Sequence, residues 1–284
     1  MSTAAESFVQ EWRAARPLRD LLLRFVPADE RGLPLLLALQ AELLGALHAG
    51  DALPAAAKLD WWIDELARFA SPQARHPLTL ALAADARAAR VPASSWPQAA
   101  ADLRAALEAP ASADFDAQLR AAEALYAGLA RIECAFAFGT DADCARTRRV
   151  LALQQLGLAL LQTPRRAQGG PLPLPLAALA RHQLTRAALA EEGPLRRAAL
   201  AEQCTMLAAA FEPAMRLPGP LLGLRAAEAV HDRRALRRAA RARAAVRAAR
   251  TARRAGAAGR LAQLACSARR DAHAALTWLR PHPT

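Results

Sequence analysis

The chain has 284 residues, of which 54% are hydrophobic and 5% aromatic, and much of the apolar share is alanine and leucine, both strong helix formers. Lys plus Arg number 38 against 26 Asp plus Glu, a net charge of +12 that favours acidic partners without specifying a fold, and a compositional bias toward alanine and arginine accounts for part of it. Val, Ile and Thr nowhere alternate with polar residues in the manner of strands, so almost no sheet is expected.

No stretch reads as a linker long enough to separate two cores, and one all-helical domain over residues 1–284 is expected. The opening MSTAAESFVQEW carries Glu6 and Glu11 and does not read as a secretory signal. The longest apolar region, Leu33 to Ala49, is interrupted by Pro34, Gln40, Glu42 and His48 and is too short to span a bilayer. A cytoplasmic or membrane-peripheral protein is expected. Cys134, Cys144, Cys204 and Cys266 form no CxxC pair or zinc-like cluster, which predicts isolated buried thiols in a reducing compartment.

In chain order, Glu6 to Arg16 predicts a short helix with Phe8, Val9 and Trp12 inward, and Pro17 starts another that stops at Pro27. Ala28-Asp29 offers a cap for a helix to about His48, whose Leu35, Leu36, Leu39, Leu43 and Leu47 face the core. The next helix is the landmark of the chain. In KLDWWIDELARF, residues Leu59, Trp62, Leu66 and Phe69, with Ile63 beside them, share one face at i, i+3, i+4, i+7 spacing. Ser71-Pro72 ends it and His76-Pro77 opens a helix from Leu78 to Ala89, with a hydrogen bond from His76 expected to stabilise the corner. Helices are then expected from Gln98 to Glu108 and from an Asp114 or Ser112 cap through Phe115, Leu119, Tyr126 and Cys134 to a break at Gly139. Others follow over Ala142 to Leu161, Leu176 to Ala190, Pro194 to Met215, Arg225 to Ala255 and Arg260 to Leu279. Pro164 to Pro175, with Gly-Gly and several prolines, is the one conspicuous loop.

Asp60 and Asp64 stand four apart on one helical face, the spacing of a DxxxD metal pair, yet the apolar residues already claim the inward side, so a solvated acidic face is expected. The arginines of 225–254 lack interleaved aromatics and any recognition motif, which disfavours nucleic acid. A solvated face is expected, with an anionic membrane surface or an acidic protein as the partner classes that remain.

The order of LDWWIDELARFASPQARHPLTLAL, LYAGLARIECAFAFG, LQQLGLALLQ, GGPLPLPLAAL and LLGLRAAEAVHDRRALRR resembles the squalene/phytoene synthase family of head-to-head prenyl synthases, from about Pro17 to Trp278. The resemblance implies an isoprenoid-synthase-like bundle of helices around a central cavity. It also implies two aspartate-rich motifs facing each other across that cavity to hold the Mg²⁺ that ionises a diphosphate. Here the chain departs from the pattern. The helix before the Trp-rich one carries a single acid, Glu42, and no Asp or Glu lies between Asp143 and Glu191, where Arg165 and Arg166 follow the helix of Gly157. Two guanidinium groups repel Mg²⁺ but attract phosphate directly.

The expectation is therefore a squalene/phytoene-synthase-like pseudoenzyme that binds an isoprenoid or lipid, or assembles with a partner, using no metal or cofactor. Arg165, Arg166, Tyr126 and Gly157 are its candidate ligand-binding residues, and Tyr126 is also expected to pack in the core. The alternative is an active prenyl transferase with displaced Mg²⁺ ligands drawn from Asp60, Asp64 and Asp141 or Asp143, with Tyr126 as a further catalytic candidate.

Overall fold

The structure, a computed structural model, describes residues 3–15, 17–25, 33–47, 52–140, 143–163 and 171–245. Among these residues it is all-helical and has no strand. In chain order the helices are α1 (Thr3–Ala15), α2 (Pro17–Leu22), α3 (Pro34–Leu47), α4 (Ala52–Ala67), α5 (Pro77–Ala83) and α6 (Ser95–Ala105). They continue with α7 (Phe115–Leu125), α8 (Ala127–Phe138), α9 (Ala145–Leu161), α10 (Leu176–Arg181), α11 (Pro194–Met215) and α12 (Gly223–Ala245). Short 3₁₀ turns occupy Ala86–Arg90 and Ala187–Leu189.

α3 is apolar around most of its circumference and accordingly sits inside, packed by α1, α4, α5 and α6. α4 turns Leu59, Trp62 and Leu66 into the core, each at most 1% exposed, while Trp61 on its flank stays 44% exposed. Phe69, just beyond α4, stacks on Trp96 of α6 with ring centroids 4.2 Å apart. The corner after α4 is closed by Glu65, a buried acid that accepts from the backbone N–H groups of Arg75 (2.9 Å) and His76 (2.8 Å). His76 Nδ1 in turn accepts from Leu78 N at 3.2 Å and caps α5, which is the corner hydrogen bond expected of it. In the C-terminal half, α11 and α12 pack against each other and both lean on α9. One continuous apolar core runs from Ala5 to Leu236.

Several boundaries differ from expectation, each for a local reason. The helix foreseen from Asp114 to Gly139 is split, because Tyr126 (φ −95°, ψ 6°) leaves the helical region and α8 sets off on its own course. Gly128 makes that course possible, since a Cβ there would lie 2.9 Å from the Ala99 Cα of α6. α5 stops at Ala83 rather than Ala89, and Asp85 caps the following 3₁₀ turn by accepting from Arg87 N at 2.9 Å. α6 begins at Ser95, three residues early, with Pro97 in its first turn. α10 ends at Arg181 instead of Ala190: Gln183 adopts a left-handed φ of +50°, and Leu184 N donates to Leu179 O at 2.8 Å, a Schellman closure built without glycine.

Two of the four thiols are not isolated as expected. Cys134 of α8 and Cys144 at the start of α9 pack together, with Ala130, in a small cluster apart from the main core. Arg165, Arg166, Asp141, Cys266 and the helix foreseen at Arg260 to Leu279 lie outside the described residues, as does the part of the arginine-rich segment beyond Ala245.

Candidate functional site: a buried ionic centre beside an apolar cavity

Where five helices meet, the apolar core encloses a cluster of charge. Arg225, in the first turn of α12 and 1% exposed, points its guanidinium at Glu133 of α8, which is 0% exposed. Arg225 Nε donates to both Glu133 oxygens at 3.0 and 3.1 Å and Nη2 donates to Oε2 at 2.7 Å. Two further N–H groups are used as well: Nη2 donates to Gln40 Oε1 of α3 at 2.7 Å and Nη1 to Gln154 Oε1 of α9 at 3.2 Å. Gln40 Nε2 returns a hydrogen bond to Glu133 Oε2 at 3.2 Å, and Gln154 Nε2 reaches Glu228 Oε2 at 3.5 Å. Glu228, one turn along α12, is bridged by Arg19 of α2. A planar fork of five donors is the group that suits such a site, because it can bind a carboxylate on one edge and two amide oxygens on the others.

The electrostatics follow from burial and pairing. Desolvation works against the charge on Arg225, but Glu133 above all, with Glu228 and Asp232, overcomes it and holds the guanidinium above its ordinary pKa. One turn beyond Glu228, burial and the neighbouring Glu228 push the Asp232 carboxyl above its usual range, against the pull of His231 and Arg19. At the corner described above, burial lowers His76 against the opposing charges of Glu42 and Glu65.

The ionic centre forms one end of a cavity of about 320 Å³ between α2, α9 and α12. Its polar wall is Arg19, Gln154, Gln155, Glu228, His231 and Asp232, and its remaining wall is leucine, alanine, Cys204 and Gly157. A hydrogen in place of a side chain at Gly157 keeps this space open, since a Cβ there would stand 3.9 Å from Leu236 Cδ1 across the gap. A second cavity of about 380 Å³ lies on another side of α9 and includes Tyr126, Leu125, Leu156 and Leu174 in its wall. Gln155 lines both cavities, is 5% exposed, and its Oε1 has no hydrogen-bond partner among the described residues.

Of the residues singled out in the sequence, Gly157 thus lines the first cavity and Tyr126, 5% exposed, the second. Asp60 is exposed and pairs with Arg104 at 3.1 Å, and Asp64 lies on the same helix outside the core. Asp143 is exposed and caps α9 by accepting from Ala145 N at 3.3 Å. Glu42, the lone acid of α3, pairs with Lys58 at 3.3 Å near the surface, whereas the polar residue that α3 sends inward is Gln40. Sequence reasoning missed Gln40, Glu133, Gln154, Arg225 and Glu228. The available signals were single polar residues inside apolar runs: Glu133 within ARIECAFAF and Arg225 within LLGLRAAEA.

These residues do not suit the Mg²⁺ cluster that the family resemblance implies. Magnesium needs carboxylate oxygens free to face the ion at about 2.0–2.1 Å. Here Glu133 is saturated by Arg225 and Gln40, and Glu228 is held between Arg19 and Gln154, so the cation already in place is a guanidinium. Among the described residues no three His, Cys, Asp or Glu side chains come together as a metal-binding group. No described helix is long and apolar enough to cross a membrane. In comparisons with protein-family models, with curated proteins and with solved structures, nothing matches this chain.

Proposed function

We propose that the protein is a squalene/phytoene-synthase-like binding or assembly module that holds an isoprenoid or other lipid in the cavity between α2, α9 and α12, without metal-dependent prenyl transfer. The observation that carries this reading is the pairing of that apolar cavity with an ionic centre whose carboxylates are already neutralised by Arg225 and Arg19. A wall of leucines and alanines recognises hydrocarbon by area, and the closed ionic end supplies orientation without exposing a charge that must be satisfied. At roughly 30 Å³ for each water-sized group, the space suits a chain of about ten carbons, the length of one short isoprenoid.

Two assays on the full chain test this. Incubation with farnesyl or geranylgeranyl diphosphate and Mg²⁺ is expected to release no pyrophosphate and to form no C30 or C40 hydrocarbon; either product overturns the non-catalytic part of the reading. Titration calorimetry with geraniol is expected to show saturable binding that Gly157→Val weakens about tenfold or more, because the added methyl groups occupy the cavity. Equal binding by wild type and Gly157→Val, or none by either, would remove the cavity from the argument.

A further inference from the structure

The connection between α8 and α9 holds a second chemical feature, independent of the cavity. Cys134 lies in the C-terminal half of α8 and Cys144 is the residue that begins α9, and the two pack against each other with Ala130 in a buried cluster of their own. Cys134 is 0% exposed and Cys144 8%. The thiols are within hydrogen-bonding reach of each other, and Thr147 also reaches Cys134. A disulfide requires Cβ atoms about 3.5–4.5 Å apart and sulfurs that can close to about 2.05 Å, and these two side chains already pack against each other.

We propose that Cys134 and Cys144 form a reversible disulfide that clasps the start of α9 to α8 when a low-molecular-weight disulfide, such as oxidised glutathione, is present. The two thiols have unequal roles. Cys144 is the less enclosed and stands at the start of α9, so it is the thiol that oxidised glutathione reaches first. It attacks one sulfur of oxidised glutathione, the glutathione S–S bond breaks, and one glutathione thiolate leaves with the electron pair and takes up the Cys144 proton. Burial pushes the Cys134 thiol up, so it is the slower partner. It attacks the Cys144 sulfur of the mixed disulfide, the Cys144–glutathione S–S bond breaks, and the second glutathione thiolate leaves with the electron pair and takes up the Cys134 proton. Two protein thiols are oxidised and one glutathione disulfide is reduced to two thiols. The clasp closes next to Glu133 on α8 and ties that helix to α9, which carries Gln154, so oxidation fixes the spacing of two helices that build the ionic centre.

The test uses the full wild-type chain, incubated natively with oxidised glutathione, alkylated, digested and analysed by mass spectrometry. A peptide linked through Cys134 and Cys144, which disappears again on reduction with dithiothreitol, is the expected result. The linked protein should melt about 5–10 °C higher, since the bond closes a loop of about ten residues. Cys134→Ala is expected to accumulate glutathione on Cys144, while Cys144→Ser leaves Cys134 unmodified. A link that forms only in urea, glutathione that persists on Cys144 in the wild type, or a link that leaves the melting temperature unchanged would each overturn the proposal. The wild-type measurement stands whether or not the variants fold.

Discussion

Arg225→Met separates an ionic centre that specifies the fold from one that merely decorates it. Methionine keeps the length and much of the volume of the stem, so the change removes the cation with little new cavity. Glu133, 0% exposed, is then deprived of the three hydrogen bonds that Arg225 donates and keeps only the one from Gln40 Nε2 at 3.2 Å. Gln40 Oε1 and Gln154 Oε1 lose their donors as well. Breaking a buried pair by removing one partner costs about 3–5 kcal/mol, and each of the two orphaned amide oxygens adds about 1 kcal/mol, so a destabilisation of about 5–7 kcal/mol is expected. In a chain of this size that corresponds to a fall in melting temperature of about 10–20 °C. Glu133→Leu alone should cost a comparable amount, because it leaves the buried Arg225 with no carboxylate nearer than Glu228 Oε2 at 4.0 Å. The double variant, with no charge to desolvate, should recover at least half of the summed destabilisation. Urea unfolding followed by circular dichroism on the four proteins of this cycle gives the coupling directly, and about 5 kcal/mol or more, half of the summed cost of the single changes, is expected. Singles that each lie within about 1 kcal/mol of wild type, or a double variant that is simply additive, would refute the reasoning, for then burial of the Glu133 carboxylate does not depend on Arg225.

Three further outcomes are expected. Gly219 has a left-handed φ of +97° and a Cβ there would stand 2.2 Å from Asp143 O, so Gly219→Ala should cost about 2 kcal/mol or more in the same urea assay by forcing the α11–α12 turn off the start of α9. Asp232 has a folded pKa raised above its unfolded value of 3.8 by burial; the two states bind protons alike well below 3.8, and the fold is penalised as pH rises through the folded value. Asp232→Asn should therefore raise the melting temperature at neutral pH and have no such effect in acid, and a gain of equal size at both would contradict the sign. His76 is lowered below 6.5 by burial, so its contribution is fully present above that value and is lost as pH falls through the folded pKa, when protonation removes the Nδ1 acceptor that caps α5. His76→Asn retains a capping oxygen and should flatten the decline in melting temperature between about pH 7 and about pH 5, whatever removal of the imidazole from beside the Phe8 and Trp62 rings does to the overall level.

The helices that sequence reasoning placed well announce themselves locally. α11 starts on Pro194 and runs to Met215 as foreseen, and α4 shows its buried face through the spacing of Leu59, Trp62 and Leu66. The misses arise where the chain departs from its usual punctuation. A left-handed residue normally shows as glycine, but Gln183 takes that role, and the turn at Tyr126 is set by the close approach of α8 to α6 rather than by any residue that breaks helices. The ionic centre was illegible for a different reason. Arg225 and Gln40 are 185 positions apart, and an arginine beside other arginines reads as part of a solvated face until its partners are in view. Looking for acids on α3 led to Glu42, which faces Lys58, and passed over Gln40, because an amide carries no signal of metal chemistry.

A core of leucine and alanine fills space well but specifies it weakly, since helices with such faces can slide by a turn and bury nearly the same area. Gln40, Glu133, Gln154, Arg225, Glu228 and Arg19 place one or more members on each of α2, α3, α8, α9 and α12, and the hydrogen bonds between helices are broken if one helix shifts by about 1.5 Å, the rise of a single residue. A saturated polar network of this kind adds little net stability and much discrimination between alternative packings. It follows that the Glu133→Leu, Arg225→Met double variant should unfold at no lower a urea concentration than either single variant and yet be less uniquely packed than the wild type. Broadened methyl resonances and increased binding of a hydrophobic dye, at preserved helix content, are the expected signs. Sharp resonances equal to those of the wild type would mean that apolar shape alone sets the register, and that the charges are kept for what they present to the cavity beside them.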